Sequence, residues 1–120
     1  MELGYPDRSR EDEGSMARFI AMNHFQVNPE RAAEFEAHWR SRRSYLEEVP
    51  GFRGFALLRC DEPGLYVSHS TWESREAFEA WTRSEAFRKA HAQARTPEGV
   101  LVGHPRLRTF EAVLVQDAVG

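Results

Sequence analysis

A single cysteine, Cys60, stands in the 120 residues, so the chain closes no internal disulfide and offers no thiolate cluster to zinc or iron–sulfur. It is expected to be a free, buried thiol. No apolar run approaches the ~20 residues of a membrane helix, and no basic segment followed by an apolar stretch opens the chain. The expected setting is cytoplasmic, with no membrane contact. A glycine-rich phosphate loop and a strand–GxGxxG–helix unit are also missing, so no nucleotide or flavin site of those types is expected. Ser68 and Ser70 flank His69 but fit no nucleophile elbow. His24, His38, His69 and His104 lack ligand spacing with one another and with nearby carboxylates, which argues against a dedicated protein-ligated metal site.

A surplus of positive charge is lacking too. Residues 1–15 hold five acids (Glu2, Asp7, Glu11, Asp12, Glu13) and two arginines (Arg8, Arg10), which accounts for the whole net charge of −3. Residues 16–120 hold 14 acids and 14 bases. A balanced body argues against general nucleic-acid binding, which needs a basic excess. The acidic segment has no hydrophobic periodicity and ends in Gly14-Ser15; it is expected to be a disordered tail over 1–15, with Met16 a candidate functional start. The remainder, 41% hydrophobic and 12% aromatic across the chain, reads as one globular domain over 16–116, with a short C-terminal tail at 117–120.

Alternation begins at once. Phe19, Ala21, Phe25 and Val27 form one apolar face of a strand, with Asn23 its sole polar member. Asn28-Pro29-Glu30 starts a helix: Asn caps, Pro suits the first helical position and Glu suits the positive end of the dipole. Ala32, Phe35, Trp39, Leu46 and Val49 continue at a helical period until Pro50-Gly51. Phe52–Cys60 and Leu65–Trp72 flank the turn Asp61-Glu62-Pro63-Gly64 and predict a hairpin. Ser74 caps a helix carrying Phe78 and Trp81. Ser84 opens another, with Phe87, Ala90, His91 and Ala94 on one stripe. Residues Thr96–Pro105 read as a loop and Leu107–Val115 as a last strand. The order β-α-β-β-α-β, with the second α split, predicts an α+β, ferredoxin-like fold with its helices on one side of the sheet. Ile20 and Met22 then make the open sheet face apolar, which predicts a homodimer packed sheet to sheet.

Three residues sit where the pattern expects plain hydrophobes: Asn23 on the first strand's inward face, Trp81 on the short helix, and His91 one turn after Phe87. Each has a plain structural reading. A lone His on an apolar face is commonly a hydrogen-bonded core residue, Trp81 a large core side chain, and Asn23 a partner for nearby backbone. The sheet and the helices covering it are expected to bring the three towards a shared cleft, but spacing alone makes no site of them.

From Trp72 to His91 the chain runs W-x-S-x-x-A-F-x-x-W-x-x-S-x-x-F-x-x-A-H. This stretch resembles the IsdG-type haem-degrading monooxygenases of the antibiotic-biosynthesis-monooxygenase (ABM) superfamily. Generic members share its first half but tend to have His where this chain has Trp81. Met22-Asn23-His24-Phe25 is similar to the family's first strand, and the resemblance spans about residues 17–115. It implies a dimeric α/β barrel with one haem per subunit between helices and sheet. His91 would be the proximal iron ligand, Asn23 a distal hydrogen-bond donor, and Trp81 a ring pressed against the porphyrin, with Phe87 beside it. Imidazole is a good axial ligand, and distal polarity and macrocycle distortion tune haem reactivity. Haem would be cofactor and substrate, cleaved with O₂ to an open tetrapyrrole and free iron, with electrons from an external donor. Arg88 and Arg95, three before and four after His91, share its side of the helix and are candidates for the haem propionates. The loop from Thr96 to Pro105 departs from the best-known members, being apolar where theirs is charged. Two alternatives stand beside this reading: a cofactor-independent ABM monooxygenase acting on a quinol or polyketide-like aromatic, and a haem-binding protein without catalysis.

Overall fold

A computed structural model of the chain describes residues 18–42, 44–93 and 96–118. The acidic tail, Met16, Arg95 and the end of the C-terminal tail lie outside the described residues.

Strands β1 (Phe19–Gln26), β2 (Phe52–Arg59), β3 (Leu65–Trp72) and β4 (Arg106–Glu111) form one antiparallel sheet in the order β2-β3-β1-β4. With α1 (Ala32–Ser41), α2 (Arg75–Thr82) and α3 (Glu85–Gln93) between them, the chain has the βαββαβ order expected of a ferredoxin-like fold. The starts of the helices follow the sequence signals. Asn28 Oδ1 accepts from Glu30 N–H at 3.1 Å, with Pro29 next in the first helical turn. Ser74 Oγ accepts from Ala77 N–H at 3.1 Å, and Ser84 Oγ from Phe87 N–H at 3.1 Å. The hairpin turn needs Gly64: its φ of +88° is open to glycine, and a Cβ there would stand 2.5 Å from the Val27 carbonyl oxygen.

The sheet face towards the helices carries Phe19, Ala21, Phe25 and, beyond the strand, Val27, all buried. Its core falls into two clusters. Phe19 and Ala21 pack with Leu46, Trp72 and Phe78 under α2. Phe25 and Val27 pack with Phe35, Tyr66 and Val100 under α1. Complete burial of a ring such as Phe35 contributes about 1.5–3 kcal/mol.

Three expectations need correction. The helix that opens after Asn28 ends at Ser41 rather than running to Val49. Tyr45 follows in the left-handed region (φ 62°), and Leu46–Glu48 make a separate tight turn. Trp39 belongs to the cluster under α1, whereas Leu46 and Val49 belong to the one under α2. The chain changes cluster between them, and the helix breaks there. The last strand ends at Glu111 instead of Val115 because its partner β1 runs out: Phe19 is the residue opposite Glu111. Cys60 is exposed, not buried, since it lies just past β2 at the mouth of the hairpin, where its sulfur accepts from Glu62 N–H at 3.4 Å.

A polar tie joins α1 to the sheet. The Tyr66 hydroxyl donates to Glu36 Oε2 at 2.5 Å, and Arg59 and Arg40 donate to the same carboxylate at 2.7 and 3.3 Å. The Tyr66 hydrogen bond, followed by that of Arg59, holds the Glu36 carboxyl below the usual carboxylate range. Burial, then the bond to Glu36, raises the Tyr66 hydroxyl. A depressed carboxyl stabilises the fold above the unfolded-state value and loses that contribution as pH falls through the folded one. Thermal melts of wild type and Glu36→Gln are therefore expected to differ most near neutral pH and to converge in acid. A gap that stays constant from pH 7 to pH 3 would show that Glu36 ionisation contributes nothing to the fold.

Candidate functional site

The structure brings three of the singled-out side chains together on α2 and α3. Trp81 packs on Trp72 (ring centroids 5.2 Å apart), Phe78 (6.0 Å) and, edge to face, Phe87 (4.8 Å). His91 lies 6.4 Å from Trp81 and stacks on Phe87 at 3.8 Å. Trp72 and Phe78 are core residues, so the Trp81 indole is braced from behind and cannot retreat. Its Nε1–H is buried without a partner among the described residues.

His91 is exposed, unlike a core histidine. Its Nδ1 stands 3.0 Å from the Phe87 carbonyl oxygen. A carbonyl only accepts, so Nδ1 is the donor, and in the neutral ring it is Nε2 that has the lone pair. With the ring plane held by Phe87, that nitrogen points away from the backbone of its own helix and has no protein hydrogen bond among the described residues.

Asn23 stands on the sheet beneath the helices, at the break between the two core clusters. Phe19 and Ala21 lie on one side of it along β1, and Phe25 and Val27 on the other. It is half-buried, faces Ser68 on β3 and Leu107 on β4, and has no side-chain hydrogen bond among the described residues. The expectation that Asn23, Trp81 and His91 share one cleft is not met by direct contact: no hydrogen bond ties Asn23 to the other two, and His91 is exposed at the helix surface. The cavity of about 360 Å³ beside Trp81 is lined by residues such as Tyr45, Val49, Ala77, Ala80 and Lys89, and by neither Asn23 nor His91.

Of the two arginines, Arg88 is exposed and ion-paired with Glu85 one turn earlier, and Arg95 lies outside the described residues. The loop after α3 is partly ordered into the core: Val100 is fully buried and Leu101 forms a bridge with Val27. Its apolar residues, noted above as a departure, have a packing reason. Among the described residues no group of three or more His, Cys, Asp or Glu is placed to hold a bare metal ion, and no helix is long and apolar enough to cross a membrane. Sequence patterning alone missed Ser68, whose place opposite Asn23 follows only once β1 and β3 are paired in register.

The profile of the antibiotic biosynthesis monooxygenase family matches residues 18–93. A haem oxygenase (mycobilin-producing) of Mycobacterium tuberculosis is 38% identical over 98 residues, covering 79% of this chain and 89% of that protein. The solved structure of the haem-degrader MhuD from Mycobacterium tuberculosis, with two haems bound in its active site, superposes with a TM-score of 0.67 at 33% identity. That match covers 82% of this chain and 99% of the other. A mutant of SnoaB, a cofactor-independent oxygenase from Streptomyces nogalater, gives a TM-score of 0.61 at 24% identity over 82% of this chain and 95% of its own, a likeness of fold. The chain belongs to the antibiotic biosynthesis monooxygenase family, and in both sequence and structure it is similar to that family's haem-degrading monooxygenases.

Proposed function

We propose that this protein is a haem-degrading monooxygenase that holds haem through His91 and cleaves the porphyrin with O₂ and electrons from a separate donor, releasing iron. The observation that carries the reading is the His91 imidazole: exposed, stacked on Phe87, and donating from Nδ1 to a backbone carbonyl, which in the neutral ring leaves Nε2 as the ligand atom. A histidine serving only the core would be buried with both nitrogens satisfied.

The neighbouring residues fit the same group. Trp81, backed by Trp72 and Phe78, would be a rigid wall against a bound porphyrin, and distortion of the macrocycle is one of the protein's controls on haem reactivity. Asn23 offers a carboxamide donor that does not change protonation at neutral pH. Arg88 would pair with a propionate in exchange for its exposed bond to Glu85, and Arg95 is the second candidate for that role. Bound haem supplies the iron that activates O₂ and is itself the ring that is opened. The protein's part is to ligate, to orient and to present a donor.

The reading is tested by loading the purified protein with haemin and adding ascorbate in air. The expected result is a shifted Soret band that then decays with release of chelatable iron. A Soret band that persists through many equivalents of reductant would leave a haem-binding protein without catalysis. No Soret shift at all would return the assignment to a cofactor-independent monooxygenase.

The same reading includes a homodimer. On the sheet face away from the helices, Ile20, Met22, Val67, Leu58 and Phe110 share one side by strand alternation, and Leu58 and Phe110 are 44% and 43% exposed. Sedimentation of wild type at micromolar concentration is expected to give a dimer, and Ile20→Lys, on an inner strand of that face and beside Phe110, a monomer. A monomeric wild type would remove the dimer from the proposal.

A further inference from the structure

Asn23 is a half-buried polar side chain with no side-chain hydrogen bond among the described residues, so nothing observed there fixes which way its amide is turned. Its amide also has two orientations about the last side-chain torsion, one presenting N–H and the other C=O to the cleft. Only a neighbouring group selects between them.

The neighbours can be taken in turn. Along β1, Ala21 and Phe25 flank Asn23 on the same face and are apolar. Across to β4, the facing residue is Leu107. On β3 the polar candidates are Tyr66, Ser68 and Ser70. Tyr66 is committed to Glu36 at 2.5 Å. Ser70 accepts from Trp72 Nε1 at 2.9 Å and donates to the Ala21 carbonyl at 3.5 Å. Ser68 is directly opposite Asn23 in the register, is half-buried on the same face, and has no side-chain partner among the described residues.

Facing side chains of an antiparallel pair have Cβ atoms roughly 4.5–5.5 Å apart, within reach of a hydrogen bond after rotation of the serine, or of one bridging water. A serine hydroxyl both donates and accepts, but only an oriented amide has a lone acceptor and two donors to distribute. We propose that Ser68 is a positioning residue: its hydroxyl donates to Asn23 Oδ1, directly or through one water, and so turns the Asn23 N–H₂ towards the cleft. This deepens the haem reading, on which the importance of that N–H₂ rests. It also gives a reason for a serine at a position whose neighbours in the adjacent strands are Leu57 and Asn23.

The test has an arm that needs no haem. In the ¹⁵N spectrum of the apo-protein, the Asn23 side-chain amide pair is identified by its loss in Asn23→Ala. Ser68→Ala is expected to move that pair, and Ser68→Thr, which keeps the hydroxyl, to leave it close to wild type. A pair unmoved by Ser68→Ala overturns the proposal. In the haem-loaded protein, Ser68→Ala is expected to keep haemin affinity and to lower turnover about tenfold, as outer-shell partners of a ligand site do. The infrared stretch of carbon monoxide added to the reduced protein should move towards its position in Asn23→Ala. A band identical to wild type would also overturn it. Failure of wild type to bind haemin would instead defeat the haem reading and leave the amide result standing.

Discussion

Replacing His91 by alanine is expected to abolish the Soret shift on haemin titration, or to weaken binding by at least ~100-fold, about 2.7 kcal/mol at 25 °C. The size follows from losing the only side chain in the Trp81–Phe87–His91 group that can bond to iron. The exposure of His91 makes the experiment clean. Surface substitutions away from caps and buried networks change stability by less than about 0.5 kcal/mol. What His91 leaves behind is one carbonyl acceptor, Phe87 O, at the last turns of α3. The thermal midpoint of His91→Ala should therefore match wild type while its spectrum does not. Added imidazole should restore part of the shift by occupying the vacated position. A Soret shift unchanged in His91→Ala would sink the proximal assignment, and with it the central claim about this site.

Much of the scaffold was readable because local signals and tertiary packing agree. The span Leu65–Trp72 was bounded by turn residues on one side and the Ser74 cap on the other, and β3 occupies that span. The break after α1 was unreadable for a physical reason. Trp39, Leu46 and Val49 keep a helical period, yet they are buried in different clusters, and only the three-dimensional arrangement reveals that a straight helix would serve one cluster and not both. Arg42 marks the departure: its backbone is extended and its guanidinium covers the Trp39 ring at 3.9 Å. The apolar run after Glu111 misled in the opposite way. Val113 and Leu114 look like strand residues but have no strand beside them among the described residues, and Val113 is 96% exposed.

The candidate site shows the same division. A polar interruption at Asn23 and an amphipathic His91 were visible as departures from pattern. That Asn23 marks the boundary between two core clusters, and that Nδ1 of His91 is tied to Phe87, required coordinates. Ser68 carried no signal by itself. Its meaning lies in the pairing of β1 with β3, which a sequence states only through the register of its hairpins.

Asn23 also sets stability against activity, and the expected results run in opposite directions. Asn23→Ala should bind haemin within a few-fold of wild type, because it leaves His91, Phe87 and Trp81 untouched. Its turnover with ascorbate should fall ~100-fold, the usual loss when one preorganised donor is removed from a reacting centre. The fold should not suffer. A half-buried amide whose one proposed partner is the Ser68 hydroxyl contributes little, so its removal changes stability by at most about 1 kcal/mol. Asn23→Leu carries the argument further. Its side chain would lie between Ala21 and Phe25 on the buried face and join the two clusters with apolar contact, raising stability by up to ~1 kcal/mol while leaving no turnover. Calorimetry and single-turnover kinetics on the same two variants decide it. If both variants melt well below wild type, Asn23 is a structural residue whose partner lies elsewhere. If either keeps full turnover, the donor role is wrong, and the break in the core serves only to admit a ligand.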